Sequence, residues 1–414
     1  MKIAIVHEWL TTYAGSEKVL EAMLTEYPEA DVFTLINFLP EKHGSIILPR
    51  VVKTSFVQKL PFVKRYYRYL LPLMPLAIEQ YDLSKYDVIV SNSHAVAKGV
   101  ITGPDQLHIS YCYTPMRYAW DLQEQYLKES GLVGRVSGVL ARMLLNRVRI
   151  WDMRTAPGVD HFIACSEYIS RRIRKIYRRD SAVIYPNVAV DDFTIGDAPR
   201  EDFYFTSSRM VPYKKIHLIV EAFSKMPDRK LIVIGDGPQF KRIQSLAGPN
   251  VTLLGYQPYQ VLLSHLQRAK AFIFAAEEDF GIAPLEAQAC GTPVLAYGKG
   301  GALETVIDGK TGLHFYEQSA QSICDVVKKF EAWPGTFDPQ VLRQHADRFS
   351  TREFRRQFRE FVDARYAEHV AELSGEKIIQ VPEPRRRASR KAPVLNPIPG
   401  AVEPLAQPVA IHRV

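Results

Sequence analysis

Short runs of apolar, β-branched and aromatic residues recur along the chain. Each is closed by a polar or glycine-rich loop and followed by a longer stretch with helical spacing. Lys2–Val6, Asp31–Ile36, Val51–Lys53, Asp87–Ser91, His108–Cys112, His161–Cys165 and Ala182–Tyr185 read as strands of a first half. Gly15–Leu24, Arg117–Leu127, Arg135–Ala156 and a basic stretch ending at Arg179 read as helices among them. The alternation restarts after Asp191–Asp202, an acid-rich stretch with Gly196 and Pro199 that reads as a linker. Strands follow at Phe203–Ser207, Lys230–Ile234, Val251–Leu254, Ala271–Phe274 and Val294–Tyr297, with helices between them. Strands alternating with helices predict an α/β protein with parallel sheets and right-handed crossovers, here in two doubly wound domains. Ser350–Leu373 reads as a long polar helix. Gly375–Val414, with seven prolines and few aromatics, reads as disordered. The resulting division is 1–195, 196–350, a helix over 351–373 and a tail over 374–414.

Composition changes this picture in three places. Met1–His7 has no basic stretch before an apolar core, and the most apolar run, Leu70–Ile78, holds two prolines and is too short for a bilayer. The four cysteines are far apart and fit no zinc or disulfide pattern, so reduced thiols and a cytoplasmic location are expected. The net charge is +8, of which +4 falls after Ser374. Lys42–Ile78 contains no acid at all. Within it, Lys59, Lys64, Arg65 and Arg68 interleave with Phe62, Tyr66, Tyr67, Tyr69 and several leucines. That segment reads either as a core helix with a basic surface or as a contact for an anionic membrane. Pro61, Pro72 and Pro75 break it into short pieces. No motif supports a nucleic-acid partner, and none is expected.

The candidate chemistry centres on Glu277–Gly301. Gly281 allows a tight turn after a strand, and Ile282–Cys290 reads as a short helix with Pro284 in its first turn. The amides around Phe280, Gly281 and Ile282 sit where unpaired N–H groups and the positive dipole end can hold a phosphate or a sugar. Glu278 and Glu286 frame that helix start. Read singly, one is a cap and the other a solvated helix residue. At the carboxyl end of a strand in an open α/β sheet, they read as ligand-binding. Arg209 and Lys214, five apart across a proline turn after another strand, suit a diphosphate: a planar fork and a point charge. A solvated basic loop is the plainer alternative.

The spacing of Glu278 and Glu286, with Phe280-Gly281 between and Ala289-Cys290-Gly291-Thr292-Pro293-Val294 after, resembles the retaining nucleotide-sugar glycosyltransferases of family 4. Those enzymes have the two-domain GT-B fold, with a C-terminal helix crossing back to the first domain. The resemblance implies that Arg209 and Lys214 hold the donor diphosphate, as in the family's R-x-x-P-x-K-G motif; Lys215 stands at the glycine. It implies that Glu278 holds the sugar ring and Glu286 the ribose. Gly235-Asp236-Gly237-Pro238 is similar to a family turn, and Tyr256 and Gln257 fall in the loop beside the nucleobase. Gly15 keeps one of two adjacent family glycines, with Ala14 at the other. His94, Tyr113 and Arg117 fall on the acceptor side in stretches similar to bacterial polysaccharide mannosyltransferases. There a histidine commonly stands where this chain has Tyr113, and His94 is the substitute candidate.

The expected function is thus a hexosyltransferase with a nucleotide-diphospho-sugar as co-substrate, GDP-mannose favoured over UDP-sugars, and no cofactor. The absence of any Asp-x-Asp pair points to a metal-independent reaction. A glycan or polyprenyl-diphosphate-linked acceptor and an anionic inner membrane face are the implied partners. An epimerase or a synthase with a soluble acceptor, and a non-catalytic binding protein of this fold, remain alternatives.

Overall fold

The computed structural model describes residues 1–41, 44–129, 131, 134 and 136–375. The proline-rich tail and its expected disorder lie outside them. Two parallel sheets account for the described strands, as the alternating pattern predicts. The first comprises β1 (Ile3–His7), β2 (Asp31–Thr34), β3 (Val51–Thr54), β4 (Val88–Ser93), β5 (Leu107–Cys112), β6 (His161–Ala164) and β7 (Ser181–Val183), in the order β3-β2-β1-β4-β5-β6-β7. The second comprises β8 (Phe203–Ser207), β9 (Lys230–Ile234), β10 (Val251–Leu253), β11 (Ala271–Phe274), β12 (Val294–Tyr297) and β13 (Gly312–Phe315), ordered β10-β9-β8-β11-β12-β13. Both sheets reverse their winding beside their first strand, at β1/β4 and β8/β11. Those are the switch points where open α/β sheets leave a crevice.

Strands covered by helices on both faces read as unbroken apolar runs, and β1 and β11 are buried at every residue. Apolar clusters flank each sheet. Ile5, Val90 and Ile109 lie in one cluster of the first domain, and Ala4, Val6 and Ile89 in the other. β13 was not among the predicted strands. Its four residues, Gly-Leu-His-Phe, carry too little pattern to stand out. The helix expected over Arg117–Leu127 begins only at Gln123, because residues 117–122 form turns. The segment after Ser55 breaks into Phe56–Lys59, Val63–Tyr66, Tyr67–Leu73 and Met74–Glu79, as its prolines predict.

The last helix, Thr351–Ser374, follows the second domain in sequence but inserts Phe354, Phe358 and Val362 into the core of the first. Phe354 packs edge-on against Tyr111 of β5 at 5.8 Å.

β5 also carries His108, fully buried. Its Nδ1 donates to the Gly158 carbonyl at 3.0 Å, so Nε2 is left to accept from the Ser91 hydroxyl at 2.9 Å. Burial pushes its pKa from 6.5 down to about 4, since the charged ring has no water there. The unfolded chain therefore takes up a proton first. This contribution to stability is complete above pH 6.5 and is lost as the pH falls from there through about 4. Urea midpoints measured from pH 7 down to 4 fall, and they fall less steeply in His108→Gln. An equal slope in the variant removes His108 as a source.

Candidate active site

The loops leaving β1 and β5 in the first domain, and β8 and β11 in the second, line an interdomain cleft of 900 Å³. The structure brings most of the predicted residues to it. Gly15, Tyr113, Arg117, Arg209, Lys214, Tyr256, Gln257, Glu278, Phe280, Gly281, Ile282 and Glu286 all line it. His94 is not among the lining residues. Its amide donates to Glu8, and its ring packs at 90° on Trp9, 4.7 Å between centroids. Burial pushes its imidazolium pKa down.

In the second domain, β11 runs into Glu277–Gly281, and Gly281 takes φ 99° as the cap of the helix Ile282–Ala289. Phe280 anchors that turn by stacking on Tyr185 at 5.7 Å, so its backbone rather than its ring is offered to the cleft. The Gly235 turn serves packing: a Cβ there would lie 1.9 Å from the Ser208 carbonyl oxygen, so only glycine lets the loop bearing Arg209 come this close. Arg209 is exposed, and its guanidinium has no ion-pair or hydrogen-bond partner among the described residues. Lys214 pairs with Glu278. Burial works against the Lys214 charge, but Glu278 outweighs it and raises the ammonium pKa. Burial raises the Glu286 carboxyl, opposed by Lys18 and Lys214. Gln257 donates to the Leu254 carbonyl at 2.7 Å, while Tyr256 projects into solvent, 80% exposed.

Across the cleft, the helix Gly15–Glu26 starts with its first glycine against the second domain; a Cβ on Gly15 would sit 3.3 Å from Ile282 Cδ1. Glu17 braces that start, accepting from the Ala14 amide at 3.0 Å and lying 3.4 Å from His7 Nε2. Tyr113 donates to the Ser16 carbonyl at 3.3 Å. Buried Glu8 organises the β4 loop, accepting from Ser93 and from the amides of His94, Ala95, Val96 and Ala97 at 2.7–3.0 Å.

A further group of residues, all but Arg117 without an assigned role from sequence, joins the two domains. The first domain clasps the loop after β11 through Asp279. Arg117 reaches its carboxylate at 3.5 Å and the Glu277 carbonyl at 3.3 Å; Arg172 reaches it at 3.4 Å and also pairs with Asp121. Ser166 donates to the Asp279 carbonyl at 2.6 Å, and Tyr168 to Glu277 at 3.0 Å. In return Glu304 of the second domain accepts from the Glu167 and Tyr168 amides at 2.7 and 2.8 Å. Those amides begin the helix Glu167–Tyr177, where a carboxylate meets the positive dipole end. Arg117 thus binds a loop of the second domain, although its sequence context placed it with the acceptor. The only sequence signal for such a clasp is the Glu-Glu-Asp run itself, and its first-domain partners lie more than a hundred residues away.

Residues 191–346 match the family described as glycosyl transferases group 1. An uncharacterized glycosyltransferase of Methanocaldococcus jannaschii is 26% identical over 232 residues, 54% of this chain and 64% of that protein. A GDP-mannose-dependent alpha-(1-6)-phosphatidylinositol monomannoside mannosyltransferase of Mycolicibacterium smegmatis is 34% identical over 137 residues, 29% of this chain and 35% of that one. The chain therefore spans less than two thirds of the length of either relative. The solved structure of Anabaena Alr3699/HepE in complex with UDP superposes with a TM-score of 0.62 at 17% identity, over 88% of this chain and 100% of that one. At that identity the likeness speaks for the fold alone, which is GT-B.

Proposed function

We propose that the protein, whose residues 191–346 match glycosyl transferases group 1, transfers a hexose from a nucleotide-diphospho-sugar to a glycan acceptor with retention of configuration. The observation that carries this reading is the convergence of Arg209, Lys214, Glu278, Glu286 and Gly15 on one cleft, from loops at the two switch points. The nucleotide binds along the second domain, with Glu286 on the ribose and the Tyr256–Gln257 loop beside the base. Glu278 and the Phe280–Ile282 amides hold the sugar. Arg209, Lys214 and the Gly15 amide face the diphosphate, where negative charge grows as the bond from the sugar C1 to its oxygen breaks. These cations do for the leaving group what a divalent ion does elsewhere, so the reaction needs no metal. The acceptor hydroxyl attacks C1 from the same face, and its proton passes to the departing phosphate oxygen. Interdomain closure around the clasp excludes water and limits hydrolysis.

GDP-mannose is the favoured donor, supported by the mannosyltransferase-like stretches and by the donor named for the M. smegmatis relative. Thermal shifts with GDP-mannose, UDP-glucose, UDP-N-acetylglucosamine and their nucleotides test this, because a ligand that binds only the folded state raises its stability. A rise with one nucleotide sugar is expected, and no rise with any of them overturns the reading. Donor hydrolysis then separates an enzyme from a binding protein.

We also place the acceptor at an anionic membrane surface. Among the described residues no helix is long and apolar enough to cross a bilayer. Phe62, Tyr66, Tyr69, Leu73 and Leu76 are nevertheless exposed, and so are Lys59, Lys64, Arg65 and Arg68. Each such base adds about 1 kcal/mol beside an anionic leaflet. Replacing those four bases with Gln should release the protein from anionic vesicles at low salt and leave nucleotide-sugar binding intact. Equal co-sedimentation of the variant, or none by the wild type, removes this contact.

A further inference from the structure

We infer that a side pocket beside Lys215 binds an anionic group of the acceptor, a phosphate or a sugar carboxylate. This rests on the transferase reading and adds to it the chemistry of the second substrate. The pocket measures 50 Å³ and branches from the main cleft, with which it shares Arg117, Tyr126 and Tyr213; Lys215, Glu277 and Gln318 also line it. It is room for a small polar group, not for a whole sugar ring.

Three observations point to an anion. First, Lys215 is partly buried, and its ammonium has no counter-ion or hydrogen-bond partner among the described residues. Glu277, the carboxylate nearest at hand, is already taken by Lys299 at 3.1 Å and Tyr168 at 3.0 Å. Second, Arg117 lines the same pocket and brings a second positive charge, which Asp279 meets only at 3.5 Å. Third, Lys215 is in the left-handed region at φ 56°, ψ 25°, as the cap of the helix Ile216–Ser224. Helix caps at this end normally take an extended backbone, and a left-handed one suits glycine. The chain thus holds a long cationic side chain where the backbone alone calls for none, and it aligns that strain with a pocket beside the donor sugar. Tyr213 and Tyr126 add aromatic surface on which a sugar face can rest.

The test uses full-length protein saturated with whichever nucleotide stabilises it, so that Arg209 and Lys214 are occupied. Geranyl diphosphate, glucuronate and neutral methyl glucoside are then titrated calorimetrically. At least one anion binds the wild type, and the neutral glucoside binds on the order of tenfold more weakly, the scale of a charge-assisted hydrogen bond. Lys215→Gly and Lys215→Asn, both of which accept the left-handed backbone, lose that preference, keep nucleotide affinity and melt no lower than wild type. Lys215→Arg retains it. Preference for the diphosphate assigns a phosphorylated acceptor, and preference for glucuronate an acidic sugar. A wild type that binds neither anion better than the glucoside, or Gly and Asn variants that bind as wild type does, overturns the proposal. Nucleotide binding tests the transferase reading separately, so nucleotide affinity without anion preference sinks the pocket alone.

Discussion

Arg209→Ala lowers turnover by on the order of a hundredfold or more, the scale for removing one preorganised charge-stabilising group, and leaves the melting temperature near wild type. The structure separates the two cations of the candidate diphosphate site. Lys214 already shares its charge with Glu278, so part of its field is spent before any ligand arrives. Arg209 is exposed at the cleft without a partner among the described residues. In the proposed reaction its full charge meets the leaving diphosphate, and its loss unfolds nothing. Arg209→Lys keeps a charge but not the fork, and falls between the two. Single-turnover transfer, with the fold checked by circular dichroism, reads the effect. A folded Arg209→Ala variant with near-normal transfer removes Arg209 from the chemistry.

Lys98→Met destabilises the protein by about 3–5 kcal/mol, the cost of stranding one member of a buried ion pair. Lys98 is 2% exposed, and its ammonium meets the Asp152 carboxylate, the Asp152 carbonyl and the Thr155 hydroxyl, each at 2.8 Å. The carboxylate also accepts from Trp120 at 2.7 Å and Tyr177 at 3.0 Å. Without Lys98 a fully buried carboxylate keeps its neutral donors and loses its counter-charge. Lys98→Met with Asp152→Asn recovers part of the loss, because the amide oxygen still accepts from Trp120 and Tyr177. Urea unfolding at neutral pH measures both variants. A loss below 1 kcal/mol in the single variant would mean that water reaches this network.

The sequence was most legible where one residue type answers one local demand. Runs such as Phe203–Ser207 and Ala271–Phe274 carry strand pattern and coincide with β8 and β11. The candidate donor residues follow them directly, so placing the strands places those residues as well. Long-range pairing was not legible. Nothing in Ala95–Val100 shows that Lys98 turns inward to Asp152, since its neighbours are the same whether it is solvated or buried. Asp279 sits in an acidic run that suits a surface loop, and only the fold brings Arg117 and Arg172 to it. His94 looked like a cleft residue because it ends β4. Its loop instead folds inward onto Glu8 and Trp9.

The helix Thr351–Ser374 imposes an order on synthesis. The sheet of the first domain is complete once β7 has emerged, yet the aromatic side chains that finish its core, Phe354 and Phe358, come about 170 residues later. At roughly 5–20 residues per second the nascent first domain waits on the order of ten to thirty seconds with an apolar seat open to solvent. The second domain is made during that interval, beside a partner that is not yet closed. Emergence of that last helix, rather than completion of either sheet, is the event that seals the first domain.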